Sequence, residues 1–534
     1  MPLRIAVLLP FLLMAACGGG GSDGGGGDDA PAPVDATVTI DNRLAAVAAA
    51  PAVNRRLLGS NLQWTDGGDG LLQGGSSNWA TASLASAQAL APTVLRYPGG
   101  GHADLYHWAA GVGGTRGSCE HAFTGTMQTV WFGTGEFLDL CATTGAEGMI
   151  TVNTLTGDAA ESAGWVRQVN GDPPTGTVPV VRDWEVGNEP YYENTGHPER
   201  DVTAAEFAAA YDAHAAAMIA ADPRIRVGLP LVARVVWPAL NPARRSWNAD
   251  VLGLITQRVD FAAVHDAYLP FYYPHDRVPD DSELLRTVLS AALVVEADLD
   301  VLRAQLTDHG ITAPFAMTEH NALGTVFGTF GPIPRSDGLP ASQAAAVYTA
   351  DLLCRLAARD DVDSAQHWSL IGNWMFGAMA GDGTPRPAYR ALQGLDAAFT
   401  GRRLPVTVAA PVADVAGLGI QPDQTAVPML GAFACGSGAT LRVVLVNRSP
   451  ESAWQVRVDC RGGAQAGATA HLQILDDADP LACRFDPAGA ADWTDAMVPV
   501  DAHGLRITLP AHSLGILSIP AATPGAALAP AGDG

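Results

Sequence analysis

Eight times between about Arg55 and Phe399, a short β-branched or apolar run gives way to an alanine-rich stretch with helical spacing of its apolar residues. The strand candidates are RLLGSNLQW (56–64), TVLRYPGG (93–100), GMITVNTLTG (148–157), VRDWEVGNEP (181–190), IRVGLPLVA (225–233), DFAAVHDAYLP (260–270), PFAMTEHN (314–321) and SAQHWSLIG (364–372). Helices are expected at 203–222, opened by a Thr203-x-x-Glu206 capping box, and at 281–310, 340–360 and 386–399. Eight strands, each followed by a helix, are the arithmetic of a closed (β/α)8 TIM barrel over 55–400. An open doubly wound sheet is the alternative. It would normally carry a glycine-rich phosphate loop after its first strand, and LGSNLQW is not one. No cofactor is expected.

After Phe399 the helical spacing stops. LPVTVAAP, TLRVVLVNRS, WQVRVDC, AHLQILD and LRITLPAHSLGILSIP alternate in polarity between Gly, Pro and Asp turns, which predicts a C-terminal all-β sandwich over 401–522. The early strand ATVTID, within a segment spanning 36–54, is expected to pair into that sandwich, and residues 523–534 to be a disordered tail. The fold class is therefore α/β, a TIM barrel with a β-sandwich appended. A chain of 534 residues with 48% apolar content can bury both cores.

The first residues read as a targeting segment. Arg4 precedes IAVLLPFLLMAA, an apolar run too short to span a bilayer. LMAAC (13–17) resembles the lipobox of bacterial lipoproteins, which implies a signal peptide over 1–17 and lipidation of Cys17. A plain secretory signal with a chance cysteine is the other reading. The glycine- and aspartate-rich stretch 18–35 then serves as a flexible tether. The expectation is an exported protein, held to the bacterial outer membrane or cell surface only through this N-terminal lipid. Oligomeric state is not readable.

The formal net charge is −24, and no lysine occurs. An acidic surface repels phosphate backbones, so nucleic acid is not expected as a partner. Six cysteines follow Cys17, and export would permit disulfides. Proximity in sequence suggests Cys119–Cys141 and Cys460–Cys483, with Cys354 an inert buried thiol, though other connectivities stay open. The cysteine spacings do not suggest a zinc site. DGGDG (66–70) could hold calcium, but turn chemistry explains it better, so no metal is expected.

Barrel enzymes carry their reactive groups at the C-terminal ends of the strands, where variable loops sit on a rigid support. Two glutamates stand at such ends, Glu189 after strand four and Glu319 in strand seven. Carboxyls facing each other across one mouth suit glycoside hydrolysis. One protonates the leaving oxygen, and the other stabilises or captures the oxocarbenium-like centre. Gly187 and Pro190 flank Asn188-Glu189 and make the turn sharp, so that Glu189 projects over the pocket.

WEVGNEP and FAMTEHN resemble the acid/base and nucleophile motifs of clan A glycoside hydrolases. LRYPGG followed by YHWAAGVGG, TVNTLTGDAAESAGWVRQVNG and the terminal LRITLPAHSLGILSI are most similar to the α-L-arabinofuranosidase family of that clan, glycoside hydrolase family 51. The resemblance spans most of residues 55–520. It implies that Glu189 is the general acid/base and Glu319 the nucleophile. It further implies that Asn188 holds the sugar 2-hydroxyl, Arg96 orients the nucleophile side, His265 lines the site and Tyr268 hydrogen-bonds the nucleophile. Gln63 stands near the place of a family glutamate that binds the terminal sugar. Gly101-His102 replaces a family asparagine, His265-Asp266-Ala267-Tyr268 lengthens a His-x-Tyr pattern, and Gln366 corresponds to a strand-eight glutamine. Trp64 and Trp368 are candidates for stacking on sugar, as are Trp108, Trp374, Tyr272 and Tyr273.

The activity implied is retaining hydrolysis of a plant-type polysaccharide or oligosaccharide, foremost as an exo-acting α-L-arabinofuranosidase. Another clan A glycosidase (endoglucanase, β-xylosidase or glucuronidase) is the alternative within the class. A non-catalytic carbohydrate-binding surface lipoprotein is the alternative outside it.

Overall fold

The structure, a computed structural model, describes residues 34–193, 201–234, 236, 242–265, 267–272, 277–325, 335–372, 374–436, 439–483 and 492–522. The signal segment, Cys17, most of the tether, Tyr273 and the tail 523–534 lie outside them.

Each predicted strand–helix unit forms. The strands are β1 (Gly59–Asn61), β2 (Val94–Tyr97), β3 (Glu147–Val152), β4 (Asp183–Val186), β5 (Arg226–Leu231), β6 (Phe261–Val264), β7 (Phe315–Leu323) and β8 (Val362–His367). The helices that follow them in turn are α1 (Thr81–Leu90), α2 (Thr134–Thr144), α3 (Ala159–Asn170), α4 (Ala204–Ala221), α5 (Trp247–Leu252), α6 (Asp281–Asp308), α7 (Gln343–Ala358) and α8 (Pro387–Ala398). All neighbouring pairs are parallel, and β8 closes on β1 through Gln366 opposite Gly59. The result is a closed TIM barrel. The capping box at α4 is present, with Thr203 accepting from the Glu206 N–H and the Glu206 carboxylate accepting from the Thr203 N–H.

The barrel interior is layered, because inward positions recur every second residue along each strand. Val94, Met149, Phe261, Ala263 and Ala316 form a small apolar cluster low in the barrel. Two residues further along the strands the layer turns polar, with Asn61, Arg96, Thr151, Glu185 and Thr318. The space is tight, since a Cβ at Gly228 would lie 2.1 Å from the Phe261 ring.

The second domain stacks a four-stranded on a six-stranded sheet. Ala36–Ile40 lies in the four-stranded sheet, antiparallel to Val406–Ala409 and parallel to Trp454–Cys460. The central strands of the six-stranded sheet, Leu430–Gly436, Thr440–Asn447 and Leu514–Pro520, are mostly buried on both faces. Ala434, Val443, Leu445 and Leu517 look into the sandwich. Phe433, Val444, Val446 and Ile516 belong to the same apolar cluster as the barrel helices. A separate hairpin, Val412–Val415 with Gln424–Pro428, projects from this domain.

The disulfide expectation is corrected. None of the six cysteines among the described residues is in a disulfide. Cys119 sits in a short hairpin, where its sulfur accepts from the His107 N–H at 3.4 Å, whereas Cys141 is carried on α2. Cys460 faces the sandwich interior, while Cys483 is exposed and packs against Gly338, so neither suggested partner is at hand.

Candidate active site

Two charges in the polar layer organise the mouth. Arg96 and Glu185 are fully buried. Neither would be stable there unpaired, so each is saturated with partners. Arg96 donates from Nε to Glu185 Oε2 at 2.5 Å, from Nη1 to Glu319 Oε1 at 2.8 Å and to Asn61 Oδ1 at 3.0 Å, and from Nη2 to Asn188 Oδ1 at 2.9 Å. Glu185 also accepts from Thr151 Oγ1 at 2.6 Å and Thr318 Oγ1 at 2.9 Å. Burial alone would raise the Glu185 pKa, but Arg96, His265 and Thr151 outweigh it and bring it down to about 2. For Arg96, burial is likewise outweighed by Glu185 and Glu319, so it stays charged.

Backbone geometry explains how the two glutamates face inward. Thr318 points into the barrel at Glu185, so regular alternation would turn Glu319 outward. The β7–β8 register shifts between Met317 and His320, and that irregularity re-aims Glu319 into the mouth. There Oε2 accepts from the Tyr268 hydroxyl at 2.6 Å. Glu189 is placed by the turn that the sequence marks. Gly187 has φ +91°, and a Cβ there would lie 2.6 Å from Thr154 Oγ1. Glu189 itself adopts φ +42°, a conformation that L side chains rarely take and that the surrounding structure must enforce.

His265 ties the glutamates together. Its Nδ1 lies 3.1 Å from Glu189 Oε1 and 3.7 Å from Glu319 Oε1, and its Nε2 lies 3.5 Å from Glu185 Oε1. Burial would lower its pKa, but Glu319, Glu185 and Glu189 together push it up to about 10, so the ring is an imidazolium at neutral pH. Oxygens of Glu189 and Glu319 and a His265 nitrogen all fall within 4.8 Å of one another. That spacing could admit a cation, but Glu319 already accepts from Arg96 and Tyr268, and a protonated His265 offers no lone pair. Burial, followed by the Glu319 charge, holds the Tyr268 phenol well above its usual pKa, so it acts as a donor. Glu319 is almost wholly enclosed, and the Glu189 side chain keeps 27% of its surface. Beside Glu189 opens a cavity of about 710 Å³, lined by Asp104, Phe123, Thr154, Tyr192 and Phe207 among others.

Asn188, Arg96, His265 and Tyr268 thus meet the two glutamates in one hydrogen-bonded cluster, which Asn188 and Glu189 connect to that cavity. The remaining sequence-predicted residues divide. Trp368 lies over the Gly99-Gly100 backbone, where a Cβ at either glycine would come within 2.6 Å of its ring, and Gln63 adjoins Gly100. His102 sits one layer back, its Nδ1 accepting from the Ala122 N–H at 3.3 Å and its ring against Trp64, His121 and Phe123. Trp64 is fully buried in the core and donates from Nε1 to the His102 carbonyl, so it offers sugar no face; a large ring inside the βα layer serves packing first. Gln366 is fully enclosed in the barrel wall beside Gly59. Trp108 donates to the Glu161 carbonyl and stacks near Trp165, Tyr272 is buried against Ser336, and Trp374 is partly exposed beside Phe376.

Sequence reasoning passed over Glu185, Asn61, Thr151 and Thr318. A signal existed for Glu185. In WEVGNEP it falls four residues before Glu189, and a carboxylate inside an apolar run requires a buried cation such as the arginine of LRY.

No family model matches the chain. Over 86 residues, 16% of this chain and 17% of the relative, it is 38% identical to an intracellular exo-α-L-arabinofuranosidase of Bacteroides ovatus. The matched part therefore spans about a sixth of that relative's length. Structural similarity reaches much further. An α-L-arabinofuranosidase from Thermotoga maritima, solved with arabinose, superposes with a TM-score of 0.75 at 20% identity, covering 91% of this chain and 100% of that one. The fold is that of the α-L-arabinofuranosidases. A second example, the thermostable family 51 α-L-arabinofuranosidase of Thermotoga petrophila, gives a TM-score of 0.71 at 21% identity, covering 90% of this chain and 99% of that one. The arabinofuranosidase fold thus includes the β-sandwich as well as the barrel.

Proposed function

We propose that this chain is a retaining glycoside hydrolase, an exo-acting α-L-arabinofuranosidase working on plant-type polysaccharides or oligosaccharides. The observation that carries the reading is the approach of a Glu189 oxygen and a Glu319 oxygen to within 4.8 Å of each other at the barrel mouth. Retaining glycosidases set their carboxyls about 5–5.5 Å apart, and inverting ones leave about 6.5–9.5 Å for a water. The sugar identity draws support from the relatives, which are named for arabinofuranoside hydrolysis.

In this reading Glu319, held as a carboxylate acceptor by Arg96 and Tyr268, attacks the anomeric carbon. The bond to the leaving oxygen breaks as Glu189 delivers its proton there. Water then enters from the more open Glu189 side. Glu189 takes a proton from it, the water oxygen bonds to the anomeric carbon, and the Glu319 ester is released. Asn188 is held through Oδ1 by Arg96, which leaves its NH2 to donate to the sugar 2-hydroxyl.

The test is hydrolysis of aryl glycosides, with Glu319→Gln as control. Arabinofuranoside turnover that falls by roughly 10⁴-fold or more in the variant, with the fold intact, is expected. Turnover of xyloside alone would transfer the mechanism to another clan A sugar. Turnover of neither would favour a carbohydrate-binding surface protein.

We also propose, from LMAAC and the glycine-rich stretch after it, that the chain is exported and lipid-anchored through Cys17. Cys17→Ser should then move the protein from the membrane to the soluble fraction; retention on the membrane would reject the anchor.

A further inference from the structure

The hairpin Val412–Val415/Gln424–Pro428 ends in a tight turn, in which Leu418 and Gln421 exchange backbone hydrogen bonds at 3.1 and 3.0 Å. This tip belongs to the β-domain, yet it reaches the segment that follows β6. The Ile420 N–H donates to the carbonyls of Pro270 at 3.1 Å and Phe271 at 3.0 Å. Gln421 is buried and anchors the tip on α6, donating to the Thr287 carbonyl at 3.0 Å and Ser290 Oγ at 3.1 Å. On its other side the same segment is hydrogen-bonded to β7 and the residue after it, with Phe271 N to Leu323 O and Tyr272 N to Gly324 O both at 2.8 Å. Residues 268–272 are therefore clamped between the strand that carries Glu319 and a loop from the other domain.

The clamp has no slack. Gly419 has φ +61°, and a Cβ on it would lie 2.0 Å from the Phe271 carbonyl oxygen and 2.5 Å from that of Pro270. Backbone on both sides leaves no flexible side chain to move aside. Phe271, at φ +27°, is already in a conformation rare for a side-chain-bearing residue. Two residues before Pro270 stands Tyr268, whose hydroxyl donates to Glu319 Oε2. The geometry points to Gly419 as a positioning residue of the β-domain that sets where the Tyr268 hydroxyl meets Glu319. This inference rests on the reading of Glu319 as nucleophile. The sandwich would then be part of how the nucleophile is oriented, rather than only a stabilising appendage.

The full chain carrying Gly419→Ala tests it with an aryl glycoside that the parent protein hydrolyses. A displaced donor to a reacting carboxylate should lower kcat about tenfold. KM should stay within about twofold, because Tyr268 is proposed to act on Glu319 rather than on the sugar. In a Tyr268→Phe background the same substitution should have no further effect. Equal losses in both backgrounds, or unchanged kcat in a folded variant, would overturn the assignment. Gln421→Met removes the anchor on α6 without adding a clash, so it provides a second variant with the same expected non-additivity at about threefold. A crystal structure of either variant gives a readout that needs no activity. Tyr268 Oη still at hydrogen-bond distance from Glu319 would overturn the inference even if the parent protein hydrolysed none of the glycosides tried, an outcome that by itself rejects only the proposed function.

Discussion

At the scale of single residues, the pocket is a balance of charges that no one of them could sustain alone. Glu189 and Glu319 were legible in the sequence because each follows an apolar strand-like run and stands beside turn or amide residues. Glu185 was not, because a buried charge is defined by a partner far away in the chain. Removing it tests that dependence. Glu185→Gln leaves Arg96 short of a counter-charge in a fully buried site, and should cost about 3–5 kcal/mol in denaturant unfolding. A loss below about 1 kcal/mol would mean that Glu319 and the two asparagines suffice for Arg96. The acid role proposed for Glu189 can be tested separately. Glu189→Ala should slow glycosides with poor leaving groups at least about a hundredfold more than activated aryl glycosides, since only the former need a proton on departure. Equal slowing of both would argue that Glu189 is not the acid.

At the scale of elements, periodicity located the eight strands and the long helices, because inward and outward faces repeat along them. It could not locate the irregularity between Met317 and His320, which depends on pairing across β7 and β8 and decides that Glu319 faces the pocket. The same strands carry His320 and His367, fully buried with ring centroids 5.4 Å apart and no hydrogen-bond partner for their four ring nitrogens among the described residues. Burial, with the neighbouring His367 ring, holds His320 well below its usual pKa, and burial lowers that of His367 to about 3. Their folded-state pKa values are depressed, so both are neutral in the folded protein while the unfolded chain protonates near pH 6.5. The contribution of these two rings to stability is therefore fully present above about pH 6.5 and is lost as the pH drops toward 3, by up to roughly 1.4 kcal/mol per pH unit for each ring. Urea unfolding at pH 7 and pH 5 should show this loss, and a His320→Gln/His367→Gln variant should reduce it, leaving the share of the other buried histidines, His102 and His214. Parallel pH slopes in the parent and the variant would assign the acid sensitivity to other groups.

At the scale of the molecule, the sequence separated a barrel from a sandwich but could not say how deeply they interlock, since both domains contribute apolar residues that look alike in the chain. The interlock includes a charge. Asp351 on α7 and Arg448 after the adjoining β-strand are both buried, with Nε to Oδ2 at 2.6 Å and Nη2 to Oδ1 at 2.5 Å. Burial would raise the Asp351 pKa, but Arg448 and Arg355 outweigh it and keep it low. A Cβ at Gly431 would lie 2.4 Å from Arg448 Nη2, so the guanidinium fits only because residue 431 is a glycine. Asp351→Asn should therefore cost about 3–5 kcal/mol, the cost of leaving a buried guanidinium without its carboxylate. Because one apolar cluster runs from the barrel helices into the six-stranded sheet, the two domains should still unfold together, and calorimetry should show a single transition moved to lower temperature. Two separate transitions in the variant would mean that this ion pair, rather than the shared apolar face, couples the sandwich to the barrel.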